Sequence, residues 1–336
     1  YKRYLRNKRS VFLPVTIIIV VAIFILSFVS IHVSKKIRLH FQSNPSITKL
    51  TYLWKNNDYQ GVFDTSSILI EKKSLNNTIL TYRGYSAYYL AISETDLNLS
   101  QEYIDEAIKC LRKALMTAKE STIAQIKYML GRSYFYKNRI CAYHYYADLV
   151  VKYLEEAKNL GYKADDIAET LGISYGQLNM PYESISRFSE ALLIRESDSL
   201  LLSIAEQYFK LDQISAAKQY LFQVISDSKD DNLLIKAQTL LGKIYIKEEK
   251  YDEAKDLFLK VLDKDSNSTD AHYSLGLIYE KNGDVTKARA QWRKVLKIDN
   301  THEKTIKKIK GVDLYEKNQQ NRSCCSCCCN DSIFWM

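Results

Sequence analysis

Leu241-Gly242, Tyr245, Ala254 and Phe258 recur 34 positions later as Leu275-Gly276, Tyr279, Ala288 and Trp292. No other feature constrains the fold as much. Each copy must be one supersecondary unit that cannot bury its apolar face alone, so the chain has to stack copies. The offsets have a physical cause: Gly242 and Ala254 are small where two helices cross closely, and Leu241, Tyr245 and Phe258 fill the space around that crossing. Further copies lie upstream in the same register. Leu171-Gly172, Tyr175, Phe188 and Ala191 form one, and Ala205, Tyr208, Ala217 and Leu221 form a weaker one with three extra residues before Ile235. Leu130-Gly131 and Tyr134 open another, whose second helix is expected to run long, through Tyr143 to about Leu160. Gly84 opens a further copy, with a second helix from Glu102 to about Lys119 after an insert at Glu94–Ser100. Leu50, Leu53, Tyr59, Val62 and Leu69 mark a degenerate first copy.

This pattern resembles the tetratricopeptide repeat, a pair of antiparallel helices. The expected fold is all-α, a solenoid of about seven helix hairpins closed by a terminal helix that solvates the end of the stack. The hairpins are placed near 43–76, 77–123, 124–164, 165–197, 198–234, 235–268 and 269–302, with the capping helix at 303–320. Pro181 falls in the turn between the two helices of the fourth copy, where a helix break is wanted. No alternating strand pattern of useful length occurs.

Val11 to Val33 contains no charged residue and is rich in Ile, Val and Phe. At a rise of 1.5 Å per residue it reaches about 34 Å, enough to cross a hydrocarbon core of about 30 Å. It reads as a transmembrane helix at 11–33, between a basic flank at 1–10 and a linker at 34–42, with no convincing small-x-small cleavage site after Phe28. The formal net charge of +9 is concentrated here, because residues 1–38 hold eight Lys or Arg and no Asp or Glu. The remainder is nearly neutral, which argues against nucleic acid as a partner, since a nucleic-acid-binding domain shows a basic folded face. Lys2, Arg3, Arg6, Lys8 and Arg9 precede the span, and only Lys35, Lys36 and Arg38 follow it. The excess on the N-terminal side predicts a cytoplasmic N-terminus and exported repeats.

The motifs that hint at chemistry are absorbed by the repeat. Gly172-Ile173-Ser174-Tyr175-Gly176 matches the G-x-S-x-G string, but a nucleophile elbow needs a strand–turn–helix context, and Gly172 and Tyr175 are repeat positions. Cys141 and His144 are spaced like half of a metal site and lack a second pair. The segment Ser323 to Cys329 crowds five of the seven cysteines into six residues, also without a separated second pair. It reads as a disordered tail at 321–336, with disulfide bonding, lipidation and metal binding left open. No catalytic residue, metal site or cofactor is expected.

The family resemblance also implies where a partner would sit. In tetratricopeptide proteins the first helix of each hairpin lines a concave groove. Carried onto this register, the N-terminal half presents Trp54, Thr81, Tyr85, Tyr88, Tyr89, Tyr128, Arg132, Phe135 and Tyr136. The C-terminal half presents Phe209, Lys210, Lys236, Lys243, Lys247 and Tyr273. Aromatic rings give large contact area at low entropic cost, and Lys or Arg can pair with a carboxylate. The carboxylate clamp of chaperone-binding members is not matched: its positions hold Ile47, Thr51, Tyr82, Gln125 and Met129 in the first three repeats. The expected function is therefore a non-enzymatic, membrane-anchored scaffold or adaptor that binds protein partners. The composition, rich in Lys, Ile, Asn and Tyr, suits an AT-rich bacterial genome, which sets the repeats in the periplasm; the resemblance to membrane-anchored tetratricopeptide proteins implies a role in envelope or flagellar-motor assembly. A cytosol-facing membrane receptor or quality-control adaptor is the alternative, a metal-binding protein using the tail is the third reading, and a homo-oligomer stays open as a partner class.

Overall fold

The computed structural model describes residues 45–141 and 145–311. The expected membrane span at 11–33 with its flanks, His144, and the cysteine-rich tail lie outside the described residues. No helix among those described is long and apolar enough to cross a membrane. The chain forms two compact units that divide between Lys163 and Ala164.

The first unit contains three hairpins. They are α1 (Ile47–Lys55) with α2 (Tyr59–Lys72), α3 (Asn77–Ser93) with α4 (Leu97–Met116), and α5 (Glu120–Ile140) with α6 (Ala147–Asn159). The second unit contains four. They are α7 (Ile167–Gln177) with α8 (Pro181–Ile194), α9 (Asp198–Lys210) with α10 (Ile214–Asp227), α11 (Asp231–Lys247) with α12 (Tyr251–Lys264), and α13 (Thr269–Lys281) with α14 (Val285–Ile298). A further helical stretch covers 303–311, where Thr305 is fully buried; the rest of the expected capping helix lies outside the described residues. No strand occurs among the described residues.

The tight turns have one chemistry. Asn57, Asn179, Asp212, Glu249 and Gly283 all take positive φ, between 55° and 79°, two residues before the second helix of their hairpins begins. In each, the next backbone N–H reaches back to a carbonyl five residues earlier, as Lys250 N does to Tyr245 O at 2.8 Å and Met180 N to Tyr175 O at 2.9 Å. This is the Schellman closure, which satisfies carbonyls that the helix end leaves unpaired. Pro181 follows as the first residue of α8, where its fixed φ suits a helix start.

From the second hairpin on, the two helices meet at the predicted small residue. A methyl group placed on Gly172 would lie 2.6 Å from Cδ1 of Phe188, and one on Gly242 would lie 2.7 Å from Cζ of Phe258. Gly84 faces Leu111 and Gly131 faces Leu154 in the same way. The fifth hairpin carries Ala205 instead of glycine, and its facing residue is the shorter Leu221; both are fully buried. Between hairpins the core is continuous within a unit: Ala217, Leu221 and Val224 of α10 pack in one cluster with Leu201 and Ala205 of α9 and with Ala237 and Leu241 of α11.

Three expectations about helix limits are corrected. The second helix of the second hairpin starts at Leu97, not Glu102, because the Asp96 side chain accepts from the backbone N–H groups of Asn98 and Leu99 and caps it. The insert therefore shrinks to three residues. In the third hairpin the first helix is the long one, continuing to Ile140, and the second begins at Ala147. The sixth hairpin, placed from 235, begins earlier, because the extra residues before Ile235 lengthen α11, which starts at Asp231 under an Asp230 cap.

The close crossing sets a testable limit. Gly242→Ala should lower stability by about 1–3 kcal/mol, the usual cost of overpacking. Adding Phe258→Leu should recover part of that loss, since Ala205 and Leu221 already coexist. Denaturant unfolding of the two variants checks this; a double variant less stable than the sum of its parts contradicts it.

Candidate functional site

The first helices of the three hairpins in the first unit bring most of the predicted aromatic residues together. Trp54, half-buried near the end of α1, is the centre of the cluster. Its ring centroid lies 5.4 Å from Tyr59, 5.9 Å from Tyr82, 5.8 Å from Tyr85 and 5.8 Å from Tyr89. Tyr59 and Tyr89 stack at 4.5 Å with their planes 9° apart. On α5, Tyr128 stacks at 4.6 Å on Tyr162, which follows α6. Offset and edge-on contacts of this kind each contribute about 0.5–1.5 kcal/mol beyond burial, so the cluster is a rigid surface rather than a set of loose rings.

The predicted residues divide into two roles. Trp54, Thr81, Tyr89, Tyr128, Arg132 and Phe135 keep partial exposure and line the face. Tyr88 is 5% exposed, and its hydroxyl accepts from Nη2 of Arg132 at 3.1 Å. The Tyr136 hydroxyl donates to the Ala91 carbonyl at 2.9 Å and lies 3.0 Å from Ser100 Oγ. These two tyrosines tie α5 to the second hairpin. Tyr59 and Tyr162 belong to the face and were not predicted, because neither lies on a first helix. Their sequence signal was weak: an aromatic just after the turn at Asn57, and another just after Gly161.

Between α1, α3 and the start of α5 lies a cleft of about 250 Å³, lined by Trp54, Asn77, Thr78, Thr81, Tyr82, Tyr85, Thr122, Gln125 and Ile126. None of these carries a formal charge at neutral pH. Burial pushes the Tyr85 hydroxyl well above its ordinary value, and the neighbouring Tyr162 and Tyr89 add to the shift. Burial also raises Tyr89 and Tyr128, against the opposing pull of the Arg132 cation. These three hydroxyls are therefore neutral at physiological pH.

The second unit presents a different face. Lys243 pairs with Asp270 at 3.0 Å, Lys247 with Asp212 at 2.5 Å, and Lys210 donates to the Gly176 carbonyl at 3.2 Å. Glu206 sits among Lys236, Lys210 and Lys243; burial raises its carboxyl group, and those three cations oppose the shift. Phe209 packs against the core and Tyr273 lies 5.3 Å from the His302 ring. The predicted lysine groove is thus a mixed-charge surface in which two of the lysines are held by aspartates.

Other chemical candidates resolve into structure. Ser174 lies inside α7 and donates to the Thr170 carbonyl at 2.8 Å. Among the described residues no group of His, Cys, Asp and Glu could hold a metal ion. Burial pushes the Cys110 thiol up to about 12, which leaves it protonated and unreactive.

Comparison with known proteins agrees with this architecture. Residues 182–329 match the model of the tetratricopeptide repeat protein 21 C-terminal ARM domain. The ycf37 protein of Porphyra purpurea is 32% identical over 121 residues, covering 30% of this chain and 70% of the relative. The chain belongs to the tetratricopeptide repeat family. Two solved structures share the fold at low identity. The C-terminal part of a TPR repeat-containing protein from Cytophaga hutchinsonii superposes with a TM-score of 0.52 at 17% identity, over 78% of this chain and 98% of that one. The apo form of the quorum sensor NprR from B. thuringiensis gives 0.55 at 20%, over 77% of this chain and 76% of that one.

Proposed function

We propose that the face made by α1, α3 and α5 docks an extended or helical segment of a partner protein, so that the chain works as a scaffold or adaptor. The observation that carries this reading is the ordered aromatic face around Trp54, Tyr89 and Tyr128, next to an open uncharged cleft. Interface hot spots favour Trp, Tyr and Arg, whose contact area costs little side-chain entropy. The finer setting follows from the sequence: an anchor at 11–33 with the repeats on the exported side of a bacterial membrane, where the scaffold holds envelope components together. The supporting observations are the uncharged length of that segment and the excess of cations before it.

Co-purification from the native host separates docking from folding. Tyr89→Ala with Arg132→Ala should lower partner recovery about tenfold or more while helical circular dichroism is retained. Tyr136→Phe should lower stability by about 1 kcal/mol through its lost hydrogen bonds and leave recovery unchanged. Equal recovery by the Tyr89/Arg132 variant would overturn the docking surface. For the membrane setting, alkaline phosphatase fused after Asn318 should be active, and activity of a cytosolic reporter at that point instead reverses the orientation.

A further inference from the structure

Two residues that line the cleft beside Trp54 carry buried hydroxyls that the fold leaves unused. Tyr85 is 7% exposed, and its hydroxyl is buried without a hydrogen-bond partner. The Thr81 hydroxyl, one helical turn earlier on α3, is also buried and unpartnered. Both residues line the cleft. Three other polar groups there are occupied, while Thr78 and Gln125 are exposed at its rim: Asn77 Nδ2 donates to the Ala114 carbonyl at 2.6 Å, Thr122 Oγ1 to the Lys119 carbonyl at 3.0 Å, and the Tyr82 hydroxyl to Thr51 Oγ1 at 3.4 Å. A buried hydroxyl without a partner is destabilising, and a ligand group that satisfies it recovers that loss.

The lining selects the chemistry of that group. The volume of about 250 Å³ is below the usual range of about 300–1,000 Å³ for small-molecule and cofactor sites, and suits one large side chain. A carboxylate entering would lose its hydration with no cation in the lining to compensate. An ammonium or guanidinium would find aromatic rings, but the Arg132 cation already acts on the adjoining Tyr89 and Tyr128 and disfavours a second positive charge. An aliphatic side chain would fill the space and leave both hydroxyls unpaired. A primary amide is planar, so it can lie against an aromatic ring, and it carries a donor and an acceptor for two hydroxyls.

We propose that this cleft takes the carboxamide of an asparagine or glutamine carried on an extended, uncharged segment of a partner protein. The assignment rests on the docking face described above and names what that face reads. Its test is panning a random twelve-residue peptide library against the full chain, followed by binding measurements on the selected peptides. They should share an Asn or Gln whose replacement by Glu, Lys or Leu weakens binding about tenfold, the loss expected when a ligand no longer pairs buried polar groups. In a Thr81→Val/Tyr85→Phe variant, which keeps the shape of both side chains, the same preference should fall to about twofold with unchanged circular dichroism. Selected peptides without a shared Asn or Gln, a preference that survives in the variant, or no selected binder at all would overturn the assignment. Peptides that are charged or aliphatic at that position, but are weakened by Tyr89→Ala, refute the carboxamide alone. Peptides unaffected by Tyr89→Ala refute the docking face as well.

Discussion

From the second hairpin on, each hairpin closes where a residue with little or no side chain faces a large one, and the remaining architecture depends on that contact. At Gly172 and Gly242 an aromatic ring lies so close to the opposite backbone that a single methyl would intrude to within 2.6–2.7 Å. Interiors packed at crystal-like density have no slack for such an intrusion, so the small residue fixes how nearly the two helices approach. That approach brings Ala254, Phe258 and Val261 of α12 into one core with Ala271, Leu275 and Ile278 of α13. The second helix of one hairpin thus becomes the floor on which the first helix of the next is laid. Five of the hairpin turns repeat as well, through a positive-φ residue and a reach-back hydrogen bond.

Because second helices are used in this packing, first helices share the opposite face, and what they carry decides what the repeats can bind. In the first unit that face is aromatic and uncharged; in the second it is charged, and its lysines are largely answered by Glu206, Asp212 and Asp270. Exposed ion pairs of this kind contribute little to affinity or stability, so the second face offers less discrimination than the first. The aromatic face is held in place by groups that do not reach it. The Arg83 guanidinium lies 4.1 Å over the Phe63 ring, donates to the Phe63 carbonyl at 3.1 Å and to Glu106 at 2.6 Å, and so locks α2, α3 and α4 together beneath the cleft.

The fold was legible because the repeat is a statement about sterics. Gly, Ala and a large residue at fixed offsets define a helix crossing from sequence alone. Helix limits were less legible where capping decides them: Asp96 and Asp230 each begin a helix several residues before the apolar pattern asks for one. At the candidate site, family register placed Trp54, Tyr85, Tyr89 and Tyr128 on one face, but register gives direction and not depth. It could not distinguish Tyr89, which faces outward, from Tyr88 and Tyr136, whose hydroxyls are consumed in holding helices together. Tyr59 and Tyr162 reach the face from a second helix and from a loop, which a first-helix rule passes over. The unused hydroxyls of Thr81 and Tyr85 have no sequence signature, because absence of a partner is a property of packing.

In the proposed docking, the aromatic face of the first unit, rather than another exposed surface, meets the partner. A photo-crosslinking residue introduced at Tyr89 and, separately, at Met116, which is 85% exposed at the end of α4, tests it in living cells. The account predicts that one protein is captured in high yield from position 89 and not from position 116, and that its cross-linked segment is extended and uncharged. Capture from position 116 at equal or greater yield, with none from position 89, would contradict it.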